Sequence, residues 1–158
     1  MSAPINTKPG TYFEDYPVGA VYGGGPIAVS EADILDFARR YDPQPMHVDK
    51  AAAEAGQFSG LIASGWHTGA MMMRLLEAHF VPRPGNLASP GLDELRWLKP
   101  VRPGDRLSLK ATVLTARRSR SKPDQGVVTS LVEVLNQHGE VVMSLKPISL
   151  IRCRENAP

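Results

Sequence analysis

From Trp66 to Val81 the chain carries Ala70, Met71, Met72, Met73, Leu75, Leu76 and Phe80 in a stretch of helical period that is apolar almost all round and stops before Pro82. A helix without a polar face has to be enclosed, so the rest of the chain must supply the enclosing surface. Within that pattern the methionine run reads as core rather than as a binding groove. Downstream the period changes to two: Leu107, Leu109, Ala111 and Val113 face one way, and Ser108, Lys110 and Thr112 the other. This half is sheet, with strands near 91–99, 105–117, 126–136 and 140–151 and a loop over 82–90. Pro147 in the last of these implies an edge position or a bulge. Upstream, a strand through Val21 and Tyr22 to Val29 is interrupted by Gly23-Gly24-Gly25, which lacks the GxGxxG spacing and the following Lys-Ser/Thr of a phosphate loop. A bulge or close backbone approach is expected there. The layout predicts an α+β fold, an antiparallel sheet wrapped around a long central helix.

At 158 residues the chain suits one domain, a size that buries roughly 68–70% of the unfolded surface. The division expected is an N-terminal arm over 1–11, partly loose, a folded domain over 12–152 and a C-terminal tail over 153–158. No apolar run approaches the roughly 20 residues that span a bilayer, and Met1 to Gly10 lacks the basic start and apolar stretch of a signal peptide. A net charge of +2 is too balanced to point to nucleic acid. The local exception is Arg117, Arg118, Arg120 and Lys122, read either as a solvated loop or as a rim for the phosphates of a small ligand. One cysteine, Cys153, leaves no internal disulfide and points to a reducing compartment, the cytoplasm.

The chemistry concentrates in Tyr41-Asp42-Pro43-Gln44-Pro45-Met46-His47. A helix over about 31–41, opened by Ser30 and carrying Ile34, Phe37, Ala38 and Tyr41 on one stripe, ends at this motif. Asp42 and Gln44 each precede a proline, so the segment is expected to be stiff and extended. Along it, Asp42 and His47 are close enough to hold one water, and a carboxylate beside an imidazole suits proton transfer near neutral pH. Asp49 then caps a short helix stopped by Gly56. Further on, Ser64 caps a helix that starts near Gly65, whose first N–H groups and positive dipole end can stabilise an oxyanion. The same pair is equally read as a helix start and nothing more. His67, in the first turn, either contacts substrate or packs, and His79 reads as surface. The spacing of His47, Asp49 and His67 matches no familiar ligand pattern, so no metal is expected.

With both halves in view the chain resembles the MaoC-like family, the (R)-specific enoyl-CoA hydratases and related dehydratases of the hot-dog fold. Asp42, Pro45 and His47 match its Asp-x-Asn-Pro-x-His signature, Gln44 stands where Asn is usual, and Ser64-Gly65 takes the place of the common His-Gly. Leu95 to Asp105 looks like the strand and turn of these proteins, while Arg40-Tyr41 and Met73 depart from their pattern. The resemblance implies a homodimer with substrate tunnels at its interface, no cofactor, and reversible hydration of an enoyl-CoA thioester, a reaction of fatty-acid metabolism. Asp42 and His47 would share the water and the Gly65 N–H would bind the thioester oxygen. Ser64, Gln44, Trp66 and His67 are the expected substrate neighbours; Arg96, Lys99 and Arg102 are the cations expected to draw in the CoA phosphates. Two other readings remain: a hot-dog acyl-CoA thioesterase, and a non-catalytic acyl-thioester-binding protein in which the pair merely holds the loop.

Overall fold

The computed structural model describes residues 4–155, so residues 1–3 of the expected arm and 156–158 of the expected tail lie outside the described residues. In chain order the elements are β1 (Ile5–Asn6), β2 (Val21–Ala28), α1 (Glu31–Tyr41), α2 (Pro45–Val48), α3 (Lys50–Ala55), α4 (Gly65–His79), β3 (Asn86–Trp97), β4 (Arg106–Arg118), β5 (Gln125–Leu135) and β6 (Val141–Arg152). The strands form one sheet in the order β1-β2-β4-β5-β6-β3, antiparallel throughout except for β1 beside β2. Met71, Met72, Leu75 and Leu76 of α4 join Leu107, Leu109, Ala111, Val113, Val132 and Leu145 of the sheet in one buried core. This is the hot-dog arrangement, a sheet curled around one helix.

Alternation over residues 106–113 of β4 and along β5 supplies much of that core, because successive side chains of a strand point to opposite faces. At the far end of the helix, Tyr16 is buried against Tyr22 and Phe80, and its hydroxyl donates to the Phe80 carbonyl, one of the carbonyls a helix C-terminus leaves unpaired. Its burial raises the phenol's pKa. Among the described residues no helix is long and apolar enough to cross a membrane.

Several expectations are corrected. β3 starts at Asn86 rather than near 91, taking in Ser89 and Pro90. An edge strand has one unpaired side, so it tolerates a proline and the register shifts that β3 shows against β6. β6 is an interior strand, between β5 and β3, although it carries Pro147. The missing amide is absorbed by a gap in the β5–β6 ladder between the pairs Thr129–Ile148 and Val132–Leu145, with register kept. The glycine stretch in β2 does contain the expected irregularity, between Gly24 and Ile27. In the arm, Ile5 and Asn6 pair with Val21 and Tyr22, and the Asn6 amide donates to the Val21 carbonyl. α4 is not enclosed all round: Trp66 and Met73 are 63% and 47% exposed. Tyr41, on the apolar stripe of α1, is exposed as well.

Candidate active site

Two short segments build the site. α1 closes at Asp42, whose N–H still donates to the Ala38 carbonyl, and Gln44 is extended. The expectation of an extended run through to His47 is corrected at Pro45. That residue opens the single turn α2, as proline can at a first helical position where the absent N–H is not needed. The turn brings His47 back toward Asp42 and buries it. The second segment, 61–64, is fully buried and pinned on both sides, Ile62 N–H donating to Met46 O and Ala63 N–H to Val101 O. It delivers Ser64 to the N-terminus of α4.

At the centre, Asp42 Oδ2 lies 3.4 Å from His47 Nε2. Ser64 Oγ donates to Asp42 Oδ2 at 2.6 Å, and Gln44 Nε2 donates to Asp42 Oδ1 at 2.7 Å. These two bonds, the serine's first, hold the carboxyl below the ordinary carboxylate range, with His47 adding to the effect and burial opposing it. His47 Nδ1 lies 2.8 Å from the Ile62 carbonyl oxygen. A carbonyl only accepts, so Nδ1 carries a proton, and Nε2 is the ring nitrogen that faces Asp42. Gly65 opens α4, and its N–H meets no protein acceptor among the described residues. A cavity of about 440 Å³ is lined by Asp42, Gln44, His47, Gly65, Trp66 and Trp97, and also by Phe58, Leu98 and Lys99.

The structure thus gathers Asp42, Gln44, His47, Ser64, Gly65 and Trp66. His67 is not with them. Two residues beyond Gly65 is about 200° around a helix, and its ring stacks on Phe37 at 4.8 Å on the opposite side of α4, beside a second cavity with Asp33, Arg40 and Arg74. Burial lowers its pKa, and its Nδ1 has no partner. Of the three expected cations, Lys99 lines the cavity while paired with Glu140. Arg102 donates to the Phe58 carbonyl at 2.6 Å, tying the turn to the cavity wall. Arg96 is exposed, bonded to its own strand at Leu95 O, and lies outside the cavity. The loop from Arg117 to Lys122 begins at the far end of β4, a whole strand away from the turn that carries Lys99. Among the described residues no three His, Cys, Asp or Glu side chains converge as a metal would require.

Two features had no place in the sequence reading of the site. The Ile62 carbonyl that sets the His47 tautomer is a backbone group, invisible to residue type. Trp97 lies across the start of α4, its Nε1–H donating to Gly65 O at 3.0 Å and its ring 5.1 Å from that of Trp66. A methyl group on Gly65 would come within 2.4 Å of that indole. The glycine is therefore needed for Trp97 to close over it. Alternation along β3 was the available signal, since Trp97 and Arg96 must face opposite ways.

Residues 15–136 match the family model of the MaoC-like domain. A MaoC-like dehydratase from Rhodospirillum rubrum superimposes with a TM-score of 0.83 at 41% identity, covering 90% of this chain and 97% of its own. The mesaconyl-CoA hydratase of Cereibacter sphaeroides is 31% identical over 156 residues, 97% of this chain and 44% of that protein, so this chain spans less than half of that relative. An (R)-hydratase from Pseudomonas aeruginosa is 25% identical with a TM-score of 0.70, covering 91% of this chain and 86% of its own. With the family model matched over most of the chain and the hot-dog core in place beneath it, the protein belongs to the MaoC-like dehydratase family.

Proposed function

We propose that this chain catalyses the reversible addition of water across the α,β double bond of an enoyl-CoA thioester. The observation that carries the reading is the meeting of Asp42 Oδ2 and His47 Nε2, 3.4 Å apart in a cavity that reaches the N-terminus of α4; with Nδ1 of a neutral ring protonated, both atoms accept. Two facing lone pairs need a donor between them, and a water giving one hydrogen to each satisfies both. Held in this way, its oxygen keeps a lone pair for attack on the β-carbon. As the C–O bond forms, charge moves to the thioester oxygen, for which the unpaired Gly65 N–H and the positive end of α4 are suited. The α-carbon then takes a proton from the pair, completing addition of H and OH. The names of the hydratase relatives agree with this reaction class.

Delivery of the substrate fits the same end of the molecule. Lys99 on the cavity wall and Arg102 beside it supply positive charge for the CoA phosphates where the overall charge of +2 is too small to do so. In this reading the chain works as a homodimer, since β3 leaves an open sheet edge and the adjoining face of α4 is apolar and exposed. A buried, unpaired Cys153 suits a reducing cytoplasm.

An assay with crotonyl-CoA tests the reaction. Loss of enoyl absorbance without free thiol is the expected result; release of thiol means hydrolysis instead, and neither change leaves a binding protein.

A further inference from the structure

Ser64 is fully buried, and its hydroxyl meets two groups. It lies 3.3 Å from the Trp66 N–H and 2.6 Å from Asp42 Oδ2. The amide brings its own hydrogen, so Ser64 accepts there and its single proton is committed to Asp42. The other carboxylate oxygen accepts from Gln44 at 2.7 Å. Gln44 and Ser64, which stand where Asn and His are usual, therefore both point at Asp42, and the hydroxyl hydrogen of Ser64 is not left for a substrate. Protonating Asp42 would take an acceptor away from one of these donors. His47 is arranged in the opposite sense, with Nδ1 donating to Ile62 O and Nε2 turned toward Asp42 Oδ2 and the cavity.

We propose that Ser64 is a positioning residue which, by donating to Asp42, fixes that carboxylate as the anionic partner and leaves His47 Nε2 as the base that takes the proton from water. This rests on the hydratase reading and assigns the proton path within it. In hydration the water O–H bond breaks and its proton goes to His47 Nε2, while an oxygen lone pair forms the bond to the β-carbon. The π electrons pass to the thioester oxygen as an enolate. The enolate returns them to form a C–H bond at the α-carbon with the proton from Nε2. His47 ends neutral, and Asp42 keeps its charge throughout, stabilising the imidazolium between the two steps. Because the same hydroxyl caps α4, Ser64 also holds Asp42 in register with the Gly65 N–H.

The surroundings contain little else that would set the charge of Asp42. His47 on α2 is the titratable group in contact with it; Lys99, on the same cavity, is paired with Glu140, and Arg40 on α1 with Asp36. His67 lies across α4, against Phe37.

The test combines NMR with kinetics on the full chain. Nitrogen-15 spectra of the unsubstituted protein should show neutral His47 protonated at Nδ1, and carbon-13 titration should place the Asp42 carboxyl below an ordinary aspartate. In Ser64→Ala the Asp42 midpoint should move upward, the acidic limb of kcat/KM for crotonyl-CoA should move upward with it, and kcat should fall by about tenfold, the scale of one hydrogen bond to a charged group. Ser64→Thr, which keeps the hydroxyl, should return both midpoints toward those of the unsubstituted chain. A neutral His47 protonated at Nε2, or an Asp42 midpoint unmoved by Ser64→Ala, would overturn the proposal. The tautomer is read on the unsubstituted chain, so the test stands even where a variant folds poorly. Absence of any hydration by the unsubstituted chain would remove the hydratase reading instead, while the titration still reports what Ser64 does to Asp42.

Discussion

Asp42→Asn is a sharper test of the dyad than its size suggests. The amide loses the charge, and it also turns an N–H toward a group that must stay open. With its oxygen accepting from Gln44, its nitrogen faces His47 Nε2 and Ser64. Turnover should drop by about 10²–10⁴, the range for disabling general acid–base catalysis, because His47 loses the anion beside it, in a protein that still folds. A variant keeping half its activity would remove Asp42 from the reaction. The same substitution carries a pH signature in stability. The folded carboxyl lies below its unfolded value of 3.8, so the unfolded chain binds the proton first and the ionised form stabilises the fold above that value. This contribution is lost as pH falls through the folded value. The melting temperatures of the unsubstituted chain and Asp42→Asn should therefore differ near neutrality and converge in acid. Gly65→Ala should force the Trp97 indole away and break its bond to Gly65 O, lowering kcat and changing tryptophan fluorescence. Gly91→Ala, with nothing near its missing side chain, should leave both unchanged. The cap at Ser64 and the nearness of Asp42 to His47 are legible in residue type and local spacing. Of the two roles open to His67 the structure shows packing, against Phe37, and Arg96 lies outside the cavity, because the periods of helix and strand turn both away from it.

At the scale of elements, local pattern was legible and pairing was not. Ser30, Asp49 and Ser64 each accept from a backbone N–H at the start of the helix they were expected to cap. β4 and β5 fall within a residue or so of their expected limits because a buried face enforces alternation along β5 and over residues 106–113 of β4. The start of β3 is not legible in the sequence because Ser89, Pro90 and Gly91 carry no alternation. What permits them is the strand's place at the edge, a fact of topology that one strand's composition does not encode. Pro147 shows the converse, since it argues for an edge or a bulge and lies in an interior strand whose ladder skips two pairs in unchanged register. The load on the core is carried by the alternating side chains. Leu107 has no exposed surface, so Leu107→Ala should cost about 2–5 kcal/mol in denaturant unfolding. A loss below about 0.5 kcal/mol would mean that the sheet does not close over α4 at that point.

The whole molecule leaves one requirement of its sequence unmet. A helix as apolar as α4 calls for enclosure on every side, and the sheet of a single chain supplies it only for Met71, Met72, Leu75 and Leu76. The other face carries Trp66 and Met73, and it borders a hollow of about 510 Å³ lined by Phe37, Tyr41, Leu92 and Leu95. Leu92 in that hollow is about half exposed, as are Trp97 at the end of β3 and Leu98 just beyond it, and the outer edge of β3 has unpaired backbone groups. A long exposed edge beside an apolar face is an invitation to association, and a second copy of the same chain can satisfy both at once by an isologous contact. Light scattering at micromolar concentration should therefore give about twice the 17.2 kDa of one chain. Met73→Arg and Leu92→Arg should shift the population toward monomer, because each buries an unpaired charge in the contact. Leu114→Arg, exposed on β4 rather than on β3 or α4, should leave the dimer intact. A monomer from the unsubstituted chain would show that the exposed face of α4 is tolerated in water, and the interface would then have to be abandoned together with the enclosure argument that led to it.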